Sequence, residues 1–190
     1  MNIRISIQEF AQLVDLFSVS KNNSYSESYP VFLDYFSRLN EIKEKDLIIG
    51  AHFVYGWMPT ILKLNLEKSV DVLFILNRVK KGIEVTFEEL SLLKEVINNS
   101  IVGVSKLLHF INPCTYAIWD SRISSFVSMQ TSTHNVNRVE SYVEYMKALH
   151  MLVNQKEFKS LYRKIQLKYK YRIEPLRAAE VVLFEAGKTK

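Results

Sequence analysis

Side chains capable of chemistry are concentrated in residues 101–123, IVGVSKLLHFINPCTYAIWDSRI. Lys106 and His109 are three positions apart, so they share one face of a helix that Pro113 must end. Asp120 follows this break and is placed to cap the next helix, where backbone N–H groups keep a carboxylate ionised and fixed in direction. Because a neutral lysine amine is a nucleophile, the segment is a candidate catalytic site.

A turn with exposed backbone amides is predicted at the start of this segment. The expected order is a helix over residues 86–97, a tight turn over residues 101–104 and a second helix that begins near Ser105 and Lys106. Such a turn leaves N–H groups free at the second helix, which suits a phosphate bound at Gly103 and Ser105. In the first turn of that helix, the helix dipole disfavours Lys106 as a cation.

The order of elements over residues 86–127 is a helix, a hairpin, a short second helix with a lysine, a break and then an apolar-x-Asp sequence. This order resembles the helix-hairpin-helix DNA glycosylases of the 8-oxoguanine type. The resemblance implies that Lys106 attacks C1′ of a flipped nucleotide and forms a Schiff base, while Asp120 stabilises positive charge on the sugar. It also implies that DNA is the partner and base-excision repair the activity. The chain departs from the family in two ways: Ser105 stands where a second hairpin glycine is expected, and the Lys-to-Asp spacing is shorter by about one helical turn.

Three residues near the candidate catalytic pair are predicted to contact the substrate, and each has a purely structural alternative. His109 is either a substrate contact, an acid–base group or a core histidine bonded to a backbone carbonyl. Trp119 is either a ring beside the flipped base or part of the core. Arg122 binds phosphate, pairs with Asp120 or faces solvent. The alternatives for the pair itself are a solvated helix lysine at Lys106 and a plain helix cap at Asp120.

The segment of residues 47–64, LIIGAHFVYGWMPTILKL, supplies a further predicted substrate contact, Trp57. One interpretation is a central core helix that ends at Pro59. The other is a pocket wall in which Gly50 or Gly56 permits close backbone approach and Trp57 or His52 lines the pocket.

Positive charge is concentrated near the C-terminus. Residues 156–190 hold 10 Lys/Arg and 4 Asp/Glu, whereas the first 155 residues hold 15 and 16, so the net charge of +5 originates in this last part. A helix over residues 156–170 would turn Phe158, Leu161, Ile165 and Leu167 inward and leave a basic face suited to a nucleic-acid backbone. The predicted nucleic-acid contacts are Lys159, Arg163, Lys164, Lys168 and Lys170. A solvated face, or one that meets an acidic protein or an anionic membrane, gives the same pattern.

The whole chain predicts an all-α fold. Only 5 Gly and 4 Pro occur among 190 residues, too few for the many turns of an all-β protein. Apolar residues recur at helical spacing, and Thr86 with Glu89 forms the clearest start signal, a capping box. We expect a single compact domain over residues 1–190 with about eight to ten helices, of which the basic C-terminal helices cover about 156–186.

Several functional classes lack their sequence signals. A single cysteine, Cys114, excludes an intramolecular disulfide and a cysteine-based zinc site, and no cofactor or metal is predicted. There is no Walker loop, dinucleotide fingerprint, HExxH motif or nucleophile elbow. No signal-peptide core or membrane-length apolar run occurs, so a cytoplasmic protein without a membrane segment is expected. The alternatives to a glycosylase are a non-catalytic nucleic-acid-binding helical protein and a helical protein–protein interaction module.

Overall fold

The computed structural model describes residues 3–19, 24–58, 60–128 and 135–188. These residues form ten α-helices, one short 3-10 helix (Leu66–Lys68) and no strand, which confirms the all-α prediction. The α-helices are α1 (Ile7–Leu16), α2 (Ser24–Arg38), α3 (Glu44–Tyr55), α4 (Ser69–Lys80), α5 (Phe87–Val96), α6 (Ile101–Ile111), α7 (Ser121–Ser128), α8 (Val139–Val153), α9 (Phe158–Gln166) and α10 (Pro175–Ala186).

The chain divides into two compact units. Unit 1 comprises residues 1–21 and 117–190 and contains α1 and α7 to α10, whereas unit 2 comprises residues 22–116 and contains α2 to α6. One boundary falls in the polar stretch 18–28. The other follows Tyr116, where no Pro-, Gly- or Ser-rich linker signals it in the sequence.

Unit 2 is built around α6, which packs against α2, α3, α4 and α5. The sequence of α6, IVGVSKLLHFI, is apolar on nearly every side, and a helix of that kind is stable only when other helices surround it. Every residue from Gly103 to Ile111 is accordingly buried. Any polar side chain on this helix is therefore held inside the unit.

Unit 1 is centred on α10, which packs against α1, α7, α8 and α9. Pro175 occupies the first turn of α10, as predicted, because that position needs no backbone N–H. The neighbouring helix α9 has two distinct faces. Its apolar face is buried through Phe158, Leu161 and Ile165, and its other face carries lysine and arginine.

The predicted helix ends agree with the structure where a side chain makes the cap. Ser6 is of a preferred capping type and precedes apolar residues at helical spacing, which predicts a helix start, and Ser6 Oγ accepts from the Glu9 N–H at the start of α1. Thr86 and Glu89 exchange the two bonds of a capping box at the start of α5. Gly82 follows α4 with φ +86°, a conformation that a glycine after a helix adopts without steric strain.

Three local predictions are wrong. Proline is favoured in the first turn of a helix, which predicts a helix start at Pro30, but α2 begins at Ser24 and encloses Pro30. The polar residues 18–28 predict a loop, yet residues 24–28 are helical, and no apolar periodicity in the sequence reveals this helix start. Asp46 is of a type that caps helices, which predicts a helix start there, but α3 begins at Glu44, and Asp46 Oδ2 accepts from the Lys43 N–H at 3.0 Å. Pro59, predicted to end this helix, lies outside the described residues.

Candidate functional site

The two helices of the predicted hairpin are α5 and α6, but the turn between them lies earlier than the sequence indicated. The connection is Ile97–Ser100, in which Asn98 and Asn99 have φ of 55° and 49°. Residues 101–104, predicted as the turn, form the first turn of α6. Ser100 starts this helix because its side-chain oxygen accepts from the Gly103 N–H at 3.1 Å.

The predicted phosphate contacts at the hairpin are buried. Gly103 lies against the ring of Tyr55, so that a Cβ added at Gly103 would be 2.9 Å from Tyr55 Oη. Ser105 is fully buried, and its hydroxyl donates to the Val102 carbonyl at 2.8 Å. The prediction of exposed amides at Gly103 and Ser105 is therefore wrong, since the glycine serves the close approach of a tyrosine ring and its N–H is already bonded.

Lys106 is the sixth residue of α6 and lies in its middle, so the expectation that it sits in the first turn of a helix is wrong. The helix dipole acts mainly on the first and last turns and has little effect there. The distinctive property of Lys106 is burial, since only 7% of the residue is exposed. Its Nζ lies 3.5 Å from the backbone carbonyl oxygen of Trp57, which brings together two residues 49 positions apart.

His109 is fully buried and both of its ring nitrogens are bonded. Nδ1 lies 2.7 Å from the Tyr116 carbonyl oxygen and Nε2 lies 2.8 Å from Tyr29 Oη. A carbonyl only accepts, so in the neutral ring Nδ1 donates to Tyr116 and Nε2 accepts from the Tyr29 hydroxyl. This geometry supports the interpretation of His109 as a core histidine. Its partner Tyr29 had no signal in the sequence, because the two residues are 80 positions apart.

Trp57 forms part of an aromatic cleft on unit 2 with a volume of about 390 Å³. Its ring meets the ring of Tyr25 edge-on with centroids 5.2 Å apart, while Phe32 and Phe53 stack in parallel at 4.6 Å. The indole N–H of Trp57 donates to Ser28 Oγ at 3.1 Å. The residues that line this cleft are Tyr25, Ser28, Phe32, His52, Phe53, Gly56 and Trp57.

The aromatic cleft includes residues that the sequence selected and residues that it did not. Trp57 and His52 were considered as pocket residues, and they line the same cleft. Tyr25 and Ser28 belong to a polar stretch that predicts a loop, and the sequence predicts Phe32 only as an apolar helix position. Substrate contact by Trp57 stays a prediction.

In unit 1, Asp120 caps α7 as predicted. Its Oδ1 accepts from the Ile123 N–H at 2.9 Å, and its carbonyl oxygen accepts from the Ser124 N–H at the same distance. No described residue bonds to Oδ2, so the cap uses only one of the two carboxylate oxygens. Lys106 belongs to unit 2 and Asp120 to unit 1, and a catalytic role for the two together stays a prediction.

The two residues beside Asp120 are held in different environments. Trp119 is fully buried, its N–H donates to the Val136 carbonyl at 2.8 Å, and its ring packs on Tyr145 at 4.9 Å. These contacts support the core interpretation of Trp119. Arg122 is exposed and lies over the ring of Phe184 at 5.0 Å. It makes no ion pair with Asp120 in the described part of the chain, so that alternative is wrong.

Tyr145 is a buried polar residue that the sequence did not single out. Its hydroxyl has no hydrogen-bond partner among the described residues. Burial raises the pKa of Tyr145 well above its usual value, and the nearby carboxylate of Glu180 adds to that rise. Glu180 is itself buried and pairs with Arg177. The spacing of apolar residues in the sequence does not distinguish Tyr145 and Glu180 from ordinary core positions.

The basic segment, residues 156–170, does not form the single continuous helix that the sequence predicts. Helix α9 ends at Gln166, so Lys168 and Lys170 lie beyond it, and Leu167, expected inside, is 87% exposed. The physical reason is that the helix stops before the turn that would have carried Leu167 inward.

Two of the five predicted nucleic-acid contacts are engaged within unit 1. Lys164 Nζ lies 3.0 Å from Asp15 Oδ1. Lys168 Nζ donates to the carbonyl oxygen of Phe17 and lies 5.3 Å from the centre of the Phe17 ring, so it stabilises the end of α1. The remaining exposed cations of the segment have no acidic partner among the described residues; they are Lys156, Lys159, Arg163 and Lys170.

No protein-family model, curated protein or solved structure matches this chain. The resemblance to helix-hairpin-helix glycosylases therefore depends on the quoted residues alone and stays a prediction. None of the helices in the described part of the chain combines the length and apolarity that crossing a bilayer requires. Within the same residues, His, Cys, Asp and Glu form no group of three or more that could hold a metal ion.

Proposed function

We propose that this protein acts on a modified or damaged base of DNA through the amine of Lys106. The observation that carries the proposal is the burial of Lys106 next to Trp57, whose ring lines the aromatic cleft. Lysine is one of the residue types least often found buried. Ionisable side chains held in unusual surroundings are concentrated at functional sites.

The chemistry follows from the amine. The neutral amine is the nucleophilic form of lysine. Nζ forms a bond to C1′ of the nucleotide while the bond from C1′ to the base breaks, and the base leaves with that electron pair and takes up a proton. The new C1′ amine then loses a proton, the sugar ring opens with O4′ protonated, and an imine joins Lys106 to the sugar. No oxidant, reductant or metal ion enters this sequence.

The aromatic cleft supports the same proposal. An enzyme that reacts at C1′ must take the base out of the duplex stack and hold it, and aromatic walls replace the lost stacking. Trp57 contributes its backbone carbonyl to the surroundings of Lys106 and its ring to the cleft. The role of Asp120 in stabilising charge on the sugar is part of the proposal by resemblance only.

Borohydride trapping tests this proposal. The probe is a duplex oligonucleotide with one abasic site, whose aldehyde condenses with a lysine amine to an imine that borohydride reduces to a stable amine. We expect the wild-type protein to be trapped and the Lys106→Met variant to be trapped only at background level. Lys45→Gln is the matched control, because Lys45 is an exposed lysine of the same unit.

Two further comparisons show whether Lys106 forms the covalent adduct with DNA. A duplex with a tetrahydrofuran site lacks the aldehyde, and it must give no adduct with any variant. Undiminished trapping of a folded Lys106→Met variant, or no trapping of the wild-type protein on abasic DNA and on duplexes with oxidised bases, would refute the role of Lys106. The circular dichroism of each variant shows whether it is folded.

A second candidate function is non-catalytic nucleic-acid binding, and the four exposed cations of the basic segment favour it. We expect the logarithm of DNA affinity to fall linearly with the logarithm of salt concentration, by about 0.9 for each phosphate contact. Replacing Lys159 and Arg163 by Gln should therefore lower this slope by about 2. Salt-independent binding, or an unchanged slope in the double variant, contradicts this function.

A further inference from the structure

Several aromatic rings line the cleft of unit 2. Phe32 and Phe53 stack directly on each other, parallel within 4° and with centroids 4.6 Å apart. Trp57 lies 5.7 Å from Phe32 and meets Tyr25 edge-on, so rings from α2 and from the end of α3 surround the same space. The volume of about 390 Å³ falls in the range of small-ligand pockets. Walls of this kind suit a planar ring, because stacking on an aromatic side chain needs only a flat π-face.

The aromatic cleft also contains one hydrogen-bond acceptor of fixed character. His52 lines the cleft, and its Nδ1 lies 2.7 Å from the Ile48 carbonyl oxygen one turn earlier on α3. Because that carbonyl only accepts, Nδ1 carries the proton in the neutral ring and Nε2 presents a lone pair. Nε2 has no partner among the described residues. The hydrogen bond to Ile48 therefore fixes His52 as an acceptor toward any ligand.

A second polar group in the wall of the cleft, the Ser28 hydroxyl, already forms a hydrogen bond. Ser28 Oγ accepts from the Trp57 indole N–H, which orients the indole plane. The exposed position of Gly56 leaves the cleft open to solvent beside His52. A ring that enters from this side meets the aromatic residues that line the cleft and the imidazole of His52.

We infer that the aromatic cleft binds a planar nitrogen heterocycle that carries an N–H donor on its edge, such as an amino-substituted purine. Recognition consists of stacking against Trp57 and its aromatic neighbours and of one hydrogen bond donated by the ligand to His52 Nε2. The inference depends on the proposed function only in taking the natural ligand to be a base of DNA. Selection of the ring by the cleft requires no reaction at Lys106.

Matched nucleosides and the two tryptophans of the chain test this inference. The indole N–H signals of Trp57 and Trp119 are followed by NMR of the nitrogen-15-labelled protein, and the Trp57 signal is assigned by its loss in Trp57→Phe. Adenosine carries an exocyclic N–H, whereas N6,N6-dimethyladenosine does not. We expect adenosine to shift the Trp57 signal and to leave the signal of Trp119, in the other unit, unchanged.

The decisive measurement is the ratio of the affinities for adenosine and N6,N6-dimethyladenosine. Loss of one neutral hydrogen bond should weaken binding about three- to tenfold, so dimethyladenosine should bind that much more weakly than adenosine. His52→Phe should weaken adenosine binding by the same factor and abolish the difference between the two nucleosides. Because His52 is exposed, this variant is expected to fold, and its circular dichroism, compared with that of the wild-type protein, verifies that it has.

Two results would show that the aromatic cleft does not bind such a heterocycle. A Trp57 signal that stays unmoved up to the solubility limit of adenosine overturns the inference, and so does equal affinity for the two nucleosides. The Lys106→Met variant separates it from the proposed function. Adenosine binding without any borohydride trapping removes only the proposed reaction, whereas trapping without adenosine binding removes only this recognition site.

Discussion

Helix α6 of unit 2 and the basic segment of unit 1 both contain lysines that the sequence selected for function, and the two regions hold them in opposite ways. Lys106 is a buried residue of the apolar helix α6, and its Nζ lies near the backbone carbonyl of Trp57. Lys164 and Lys168 lie at the surface and are engaged by α1. Surface ion pairs contribute only about 0–1 kcal/mol, and exposed lysines are common, whereas a lysine is seldom buried. The comparison teaches that a buried lysine is a more specific candidate for function than a high density of exposed lysines.

The largest expected effect lies in α6. We expect His109→Ala to lower the free energy of unfolding by about 3–5 kcal/mol, because it leaves a cavity and removes the partners of Tyr29 and Tyr116. On α9, Lys159→Ala should change it by less than about 0.5 kcal/mol. Urea denaturation followed by circular dichroism measures both. Similar losses in the two variants would remove the distinction between the two regions.

A smaller effect tests how closely α6 is packed. Gly103→Ala should cost about 1–3 kcal/mol, because the new Cβ would lie 2.9–3.0 Å from atoms of the Tyr55 ring. Tyr55→Phe removes the closest of these atoms and should restore part of the loss in the double variant. Gly56→Ala is the matched control, since its Cβ meets nothing closer than 3.3 Å and its backbone is already helical. Thermal denaturation that shows equal effects at both glycines would contradict the close approach of Tyr55.

The smallest effects distinguish two lysines of the basic segment. Lys168→Ala should destabilise unit 1 by about 1 kcal/mol, because it removes a cation from the end of α1 and from the Phe17 ring. Lys164→Ala should cost less than about 0.5 kcal/mol, since both members of its pair with Asp15 are more than half exposed. Raising the salt concentration should reduce the second effect further. An inverted order of the two losses would show that Lys168 does not hold α1.

The sequence predicts helix ends well where one side chain makes the cap. Ser6, Thr86 and Asp120 all act at the predicted positions, because each side chain bonds to a backbone N–H only three residues away. The hairpin turn was misplaced because Gly103 was taken as a turn residue. In the structure Ser100 starts the helix, and the glycine makes room for Tyr55, which is 48 positions distant in sequence.

The aromatic cleft could not be predicted in the same way. Its rings come from α2 and from the end of α3, and only packing brings Tyr25 and Phe32 next to Trp57. The burial of Lys106 could not be predicted either, because the sequence does not show whether a lysine within an apolar run points into the core or toward solvent. The inward face of α9 was predicted correctly up to Ile165 and failed at Leu167, where helical periodicity no longer applies.

The hydrogen-bonded chain from Tyr29 through His109 to the Tyr116 carbonyl constrains how this protein can vary. The position of His109 requires a neutral side chain that donates on one side and accepts on the other. Asparagine and glutamine offer both groups on separate atoms, but their amides lack the shape of an imidazole ring, and a hydroxyl side chain offers both only through a single atom. A tolerated replacement at either end of the Tyr29–His109 bond should therefore need a compensating replacement at the other. We expect these two positions to change as a pair among natural variants and in selections from randomised libraries.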